Sequence, residues 1–277
     1  MKTWFITGSS RGFGARIAQL ALERGDNVVA TARNAKAVTE KLGAPPNLLA
    51  LPLDVTDENQ ATEAAAQAVK RFGRIDVLLN NAGFGLLGAV EEATADEIER
   101  LYRTNVFGLL SVTRAVLPYM RAQRAGRILN ISSIGGYRGA AGFGVYSSTK
   151  FAVEGLSEAL YQELAPLGVH VTVVEPGYFR TDFLDASSLS VSSTRIDDYL
   201  QSAGVTRERA ADLNHGQPGD PDKLAEVLVA FADAANPPVR LPLGSDTVAA
   251  IEAKHAADAA IIAEWRNVSV STDFVTR

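Results

Sequence analysis

Cysteine is absent from the 277-residue sequence. That excludes disulfides, thiolate metal sites and thiol nucleophiles, and it accords with a reducing compartment; a cytoplasmic location is expected. Histidine is scarce. His170, His215 and His255 lie far apart and make no ligand motif, so no metal site is expected. A strong charge of one sign is also missing. The net charge of −5 gives no electrostatic reason to expect nucleic acid or an anionic membrane as partner. Long hydrophobic runs are missing too. The apolar start, WFIT, breaks at Gly8, too early for a signal-peptide core or a membrane span.

What is present is a chain with 47% hydrophobic residues, enough for a sizeable core. Short β-type runs recur at residues 3–7, 27–31, 48–53, 75–80, 127–132, 169–175 and, more weakly, 239–243. Most are near-continuously apolar, as strands buried on both faces are. Helical stretches lie between them at 11–24, 57–72, 95–117 and 147–164. This alternation predicts an α/β fold: one Rossmann-type domain over 1–277, with a doubly wound parallel sheet of about seven strands and helices on both faces. Residues 182–221 are rich in Ser, Asp, Thr and Gly and follow a strand's carboxyl end, so they are expected to form a substrate lid. Residues 245–277 are expected to add a C-terminal helical extension, amphipathic, with Trp265 as its anchor.

Three glycines, Gly8, Gly12 and Gly14, stand where the first strand meets the first helix. Glycine weakens both elements, so something must need the backbone close by. A helix N-terminus behind such a turn favours a phosphate, and the position between strand and helix favours a dinucleotide. The spacing is Thr-Gly-x-x-x-Gly-x-Gly, Thr7 to Gly14. Further along come NNAG at 80–83, Asn105 in TNVFG, Ser133 in NISS, Tyr146-Ser-Ser-Thr-Lys150, and PGYFRT at 176–181. In this order the chain resembles the short-chain dehydrogenase/reductase family, within it the bacterial carbonyl reductases and the hydroxysteroid and retinol dehydrogenase branch. The resemblance implies an oxidoreductase that uses a nicotinamide dinucleotide.

On that resemblance, Gly8, Ser10, Arg11, Gly12, Phe13 and Gly14 form the phosphate turn. Asp54 and Val55 meet the adenine, Asn81, Ala82 and Gly83 the ribose, and Pro176, Gly177 and Thr181 the nicotinamide. At the end of the second strand an acid would select NAD(H) by accepting from the ribose 2′-hydroxyl. Ala32 stands there, followed by Arg33, and Arg11 lies within reach; NADP(H) is therefore expected over NAD(H).

Tyr146 and Lys150, four apart, share one helix face. A nearby ammonium is expected to lower the tyrosine's pKa from about 10 and fit it for proton transfer. Ser133 can stabilise charge on a substrate oxygen. The resemblance implies four catalytic residues: Tyr146 as general acid/base, Lys150 tuning it and binding the nicotinamide ribose, Ser133 polarising the carbonyl, and Asn105 holding a relay water through a helix irregularity. Phe84, Gly135, Phe143, Tyr178 and Phe183 are the candidate substrate contacts, mostly apolar, which points to an apolar ketone, aldehyde or secondary alcohol. In the family the counterparts of 95–117 and 147–164 form a subunit interface, implying a homodimer or homotetramer. A non-catalytic NADP(H) sensor of the same fold is the alternative, and an intact set of four catalytic residues argues against it. A nucleotide-sugar epimerase is disfavoured by the spacing of the glycine turn.

Overall fold

The computed structural model describes residues 1–274. The first strand, β1 (Thr3–Thr7), is buried throughout, as its unbroken apolar run requires. Trp4 and Ile6 enter one core layer with Ile17, Leu224 and Leu228; Phe5 enters the other with Val112, Val116 and Ile128. After the glycine turn come α1 (Gly12–Glu23), β2 (Asn27–Ala32), α2 (Ala35–Leu42), β3 (Leu48–Pro52), α3 (Glu58–Phe72), β4 (Val77–Asn80) and a short β5 (Gly85–Leu87). Then follow α4 (Ala95–Tyr102), α5 (Leu109–Gln123), β6 (Gly126–Ile131), α6 (Gly144–Leu164), β7 (Val169–Pro176) and β8 (Leu189–Val191). The chain closes with α7 (Val205–Leu213), α8 (Pro221–Phe231), β9 (Arg240–Leu243) and α9 (Ser245–Val270).

Among the described residues the main sheet has seven parallel strands in the order β3-β2-β1-β4-β6-β7-β9. The chain runs outward from β1 to β3 on one side and returns to β4 on the other. That reversal opens a crevice at the strands' carboxyl ends, the usual ligand position in such sheets.

Local chemistry sets the element ends. Asp57 caps α3 by accepting from the amides of Asn59 (2.9 Å) and Gln60 (3.1 Å), and Gly73 ends it in the left-handed conformation. Two helices lie outside the expected set. α2 starts at an Asn34 cap, and α8 at an Asp220 cap followed by Pro221. The single helix expected over 95–117 is instead α4, a π-helical segment Arg103–Gly108, and α5, which runs on to Gln123 through Pro118.

Residues 182–221 are well clamped. β8 pairs in parallel with β5, Gly85 opposite Leu189. The solvent-inaccessible Glu92 accepts from the amides of Ala89 and Ile196 and from the Arg207 guanidinium at 2.6 Å. The Arg207 hydrogen bond, with those amides, holds the Glu92 carboxyl down at about 2.

The C-terminal helix differs from expectation. Only Thr247 and Ala250 of α9 are buried; Trp265 is 55% exposed and joins no core cluster among the described residues. Over its full length the apolar residues do not gather into one stripe, so the helix leaves the body after its first turns. Residues 275–277 of the expected extension lie outside the described residues. Among the described residues no helix is long and apolar enough to cross a membrane.

Candidate functional site

A cleft of about 850 Å³ opens at the carboxyl ends of the strands. Its walls include nearly every site residue expected from sequence. Gly8, Ser10, Arg11, Gly12 and Phe13 line one end, with Arg33, Asp54 and Val55 beside them. Asn81, Ala82, Gly83 and Phe84 follow, then Ser133, Gly135, Phe143, Tyr146 and Lys150, and then Pro176, Gly177, Tyr178, Thr181 and Phe183. Gly14 and Asn105 do not line it.

The glycines divide the work. Gly8 and Gly12 have φ of +67° and +57°, the left-handed region that only glycine enters without strain. A Cβ on Gly12 would meet nothing within 4 Å, so its flank is open to a ligand. Gly14 is different. A Cβ there would lie 2.5 Å from the Gly8 carbonyl oxygen and 2.6 Å from Asn81 Nδ2. Its smallness serves the packing of α1 on the turn, the close approach to the sheet expected of it. Gly14→Ala is expected to cost about 1–3 kcal/mol by overpacking. Calorimetry should register a lower Tm; an unchanged Tm would contradict the close approach.

Thr7, the first residue of the glycine motif, organises the turn. Its hydroxyl accepts from the amides of Asn81 and Ala82, both at 3.0 Å. Asn81 Nδ2 returns bonds to the carbonyls of Thr7 and Gly8. Phe13 stacks edge-on against Phe179, centroids 5.5 Å apart. α1 begins with no side-chain cap, leaving its first amides facing the crevice.

At the end of β2, Ala32 and the exposed Arg33 border the cleft, and Arg33 joins none of the ion pairs found among the described residues. Arg11 reaches a different place from the one expected. Its Nη2 donates to the Ser187 carbonyl at 2.5 Å, bridging the glycine turn to the 182–221 segment. Asp54 accepts from the Thr56 amide and hydroxyl at 3.0 and 2.8 Å, which fixes its carboxylate at the cleft wall.

Tyr146 and Lys150 project from α6, and Lys150 Nζ lies 5.8 Å from the Tyr146 ring centroid. Nζ donates to the Ile131 carbonyl at 2.8 Å. A Cβ on Gly135 would sit 3.4 Å from Tyr146 Cε1 and 3.5 Å from Ser133 Oγ, so these side chains converge on one spot. The Gly135 amide donates to Ser133 Oγ at 3.0 Å, leaving the hydroxyl proton for another acceptor. Asn105 sits in the π-helical segment. Its amide group bonds both ways to the Phe84 backbone and donates to Thr149 Oγ1. A Cβ on Gly83 would fall 3.1 Å from Asn105 Oδ1 and 3.9 Å from Lys150 Nζ, so the two groups face each other across that glycine.

The electrostatics correct one expectation. Burial pushes the Tyr146 phenol up, the Ser133 hydroxyl pulls it down, and Tyr178 adds to the rise. Lys150 is not among the groups that shift it; the lysine is itself desolvated, and burial lowers it to about 8 against the opposing charge of Glu154. In the free protein Tyr146 is a neutral phenol.

The pocket beyond Tyr146 is aromatic. Phe143 and Phe183 stand 6.0 and 5.7 Å from its ring, and Arg100 lies over Phe84. Tyr178 is 40% exposed at the rim. Thr181 accepts from the Phe183 amide at 3.3 Å, capping the turn that carries that ring. Gly177 has a further reason to be glycine: a Cβ there would strike the Asp246 carboxylate, which accepts from the Tyr178 amide at 2.8 Å. Asp246 opens α9, and sequence spacing gave no sign of its part in the turn.

Comparison with known proteins fits this geometry. The family model described as short chain dehydrogenase matches residues 2–190. "Oxidoreductase BOA17" of Botryotinia fuckeliana is 39% identical, with 98% of this chain and 99% of that protein aligned. A "3-ketodihydrosphingosine reductase" of Bacteroides thetaiotaomicron is 40% identical over 86% of each. The crystal structure of a short-chain dehydrogenase from Streptomyces avermitilis superposes with a TM-score of 0.91 at 41% identity, covering 99% of this chain and 100% of the other. More distant structures include a serine dehydrogenase complexed with NADP+ (TM-score 0.74, 28% identity, covering 87% and 94%). Another is a 3-ketoacyl-(acyl-carrier-protein) reductase from Brucella melitensis complexed with NADH (0.73, 26%, covering 87% and 96%). Sheet order, glycine turn and family match agree: this chain belongs to the short-chain dehydrogenase family of oxidoreductases.

Proposed function

We propose that the protein is an NADP(H)-dependent oxidoreductase that reduces apolar ketones or aldehydes or oxidises secondary alcohols. One observation carries this reading. The Tyr146 phenol, the Ser133 hydroxyl and Lys150 meet at one end of a cleft whose other end is the glycine turn.

The residues of the turn fit a dinucleotide: left-handed glycines, open space beside Gly12 and uncapped α1 amides suit a pyrophosphate. Arg33 beside Ala32 favours a 2′-phosphate over a free ribose hydroxyl, while the structural neighbours include one complexed with NADP+ and one with NADH. Asp54 and Val55 are assigned to the adenine, Asn81 to Gly83 to the ribose, and Pro176, Gly177 and Thr181 to the nicotinamide.

When bound, the nicotinamide supplies a hydride to the carbonyl carbon or takes one from the alcohol. Tyr146 works at the substrate oxygen, donating its phenolic proton during reduction and removing one during oxidation. Burial holds it in the donor state. Ser133, its Oγ already accepting from Gly135, directs its proton to the same oxygen and stabilises the charge forming there. Lys150 offsets the phenolate left behind and binds the nicotinamide ribose. Asn105, facing Lys150 from the π-helical segment, is assigned the relay water.

Phe84, Gly135, Phe143, Tyr178 and Phe183 form the substrate end, and residues 182–221 close it as a lid on a single domain. A relative whose name gives a keto compound as substrate accords with ketone reduction. Exposed Phe107 and Phe151, beside and on the helices the family uses for assembly, favour a homodimer or homotetramer.

Turnover of NADPH with a homologous series of alkyl ketones tests the substrate class. With about 0.8 kcal/mol per buried methylene, kcat/KM should rise about fourfold per added CH2 until the pocket is filled. A preference for polyhydroxylated ketones would overturn it.

A further inference from the structure

Behind the reacting groups lies a buried charged cluster that the proposed mechanism does not use. Glu154 is one turn beyond Lys150 on α6, and Glu175 precedes Pro176 at the end of β7. Their side chains are 5% and 1% exposed. Arg240 Nη1 on β9 donates to both, at 2.6 Å each. Glu154 Oε1, Glu175 Oε2 and Ser132 Oγ have no hydrogen-bond partner. These oxygens sit together: a Cβ on Gly136 would meet the Glu154 side chain and collide with Ser132 Oγ.

An unpartnered buried carboxylate is expensive and is retained only where its charge is balanced. Two carboxylates face one guanidinium, and Arg240 is further shared with Glu158, a half-exposed residue on α6. The cluster carries more carboxylate than Arg240 offsets, and Lys150, one helical turn before Glu154, is the next buried cation. The other charged or titratable groups around it are Tyr137, whose ring lies under Arg240, and His255 of α9, bonded to the Tyr137 hydroxyl.

We propose that Glu154 is a positioning residue for the Tyr146–Lys150 pair: with Glu175 it supplies the buried negative charge that keeps Lys150 an ammonium. The inference rests on Lys150 serving Tyr146 as set out above. Burial pushes the Glu154 carboxyl up, Glu175 adds to the rise, and Arg240 opposes it. The sign follows. When ionised, Glu154 opposes loss of the Lys150 proton; without that charge, burial alone acts on the lysine and the proton leaves at lower pH.

The test is a titration of Lys150 by NMR of [13Cε]lysine-labelled protein, assigned with Lys150→Arg, in wild type and Glu154→Gln. The Gln variant is expected to release the Lys150 proton about one pH unit lower, a tenfold change in proton affinity. The alkaline limb of kcat/KM should move the same way, while Glu158→Gln moves neither. Glu154→Leu, apolar and able to fill the site, carries the same expectation if the Gln variant does not fold. Lys150 titrating at the same pH in wild type and variant would overturn the proposal, even if the variant were less stable. Full activity in Tyr146→Phe would instead sink the mechanism, and the NMR titration would still judge Glu154.

Discussion

Tyr146→Phe is expected to lower kcat about 10³-fold while leaving NADPH affinity within about twofold of wild type. The substitution removes one oxygen and keeps the ring, so the packing against Phe143 and Phe183 at 6.0 and 5.7 Å survives. What is lost is the proton donor. Ser133 remains to polarise the carbonyl and Lys150 to hold the ribose, which is why residual turnover is expected. Steady-state kinetics with NADPH and an apolar ketone, beside a fluorescence titration of cofactor, separates the two effects. Undiminished kcat would remove Tyr146 from the chemistry. Equal loss of kcat and cofactor affinity would mean that the phenol holds the cofactor and is not the acid.

The second large effect concerns cofactor choice. Arg33→Ala is expected to weaken NADPH binding about 10- to 100-fold and to leave NADH nearly untouched, since a charge-assisted hydrogen bond is worth about 1.5–3 kcal/mol. Ala32→Asp should go further and invert the preference, because a carboxylate at the end of β2 accepts from a ribose hydroxyl and repels a 2′-phosphate. Arg11→Ala should have the smaller effect, as Arg11 is engaged with the Ser187 carbonyl. Dissociation constants for both cofactors across the three variants decide it. Equal losses for NADPH and NADH in Arg33→Ala would place Arg33 away from the 2′-position.

How much of this was legible beforehand depended on range. The strands of the main sheet were readable because burial on both faces leaves an unbroken apolar run, as in Thr3–Thr7 and Val169–Pro176. The cleft residues were readable because the glycine turn, NNAG, Tyr146, Lys150 and the Pro176-Gly177 turn each sit at a strand's carboxyl end or just after it, and parallel strands bring those ends together. The missed features depend on distant partners. Gly14 packs against Asn81 and Gly177 against Asp246, pairs that no local pattern links. The helix irregularity that the family resemblance implies at Asn105 is a π-helical segment, which the apolar pattern of 95–117 alone does not reveal. α2 is eight residues long and carries one buried residue, too little for a clear period. The Tyr146 phenol moved opposite to the sequence expectation because i, i+4 spacing reports proximity to Lys150 and says nothing of the burial that desolvates both. Trp265 looked like an anchor because a large aromatic in a helix usually finds a core, and here α9 has left it.

The most direct test of the central claim is a titration of the wild-type protein with NADPH and with NADH, followed by nicotinamide fluorescence. The expected result is saturable binding of both, with NADPH at least about tenfold tighter, as one additional charge-assisted contact to Arg33 implies. Tighter NADH binding would contradict the cofactor choice and leave the oxidoreductase chemistry standing. Failure to bind either would contradict the reading of the cleft as a nicotinamide site.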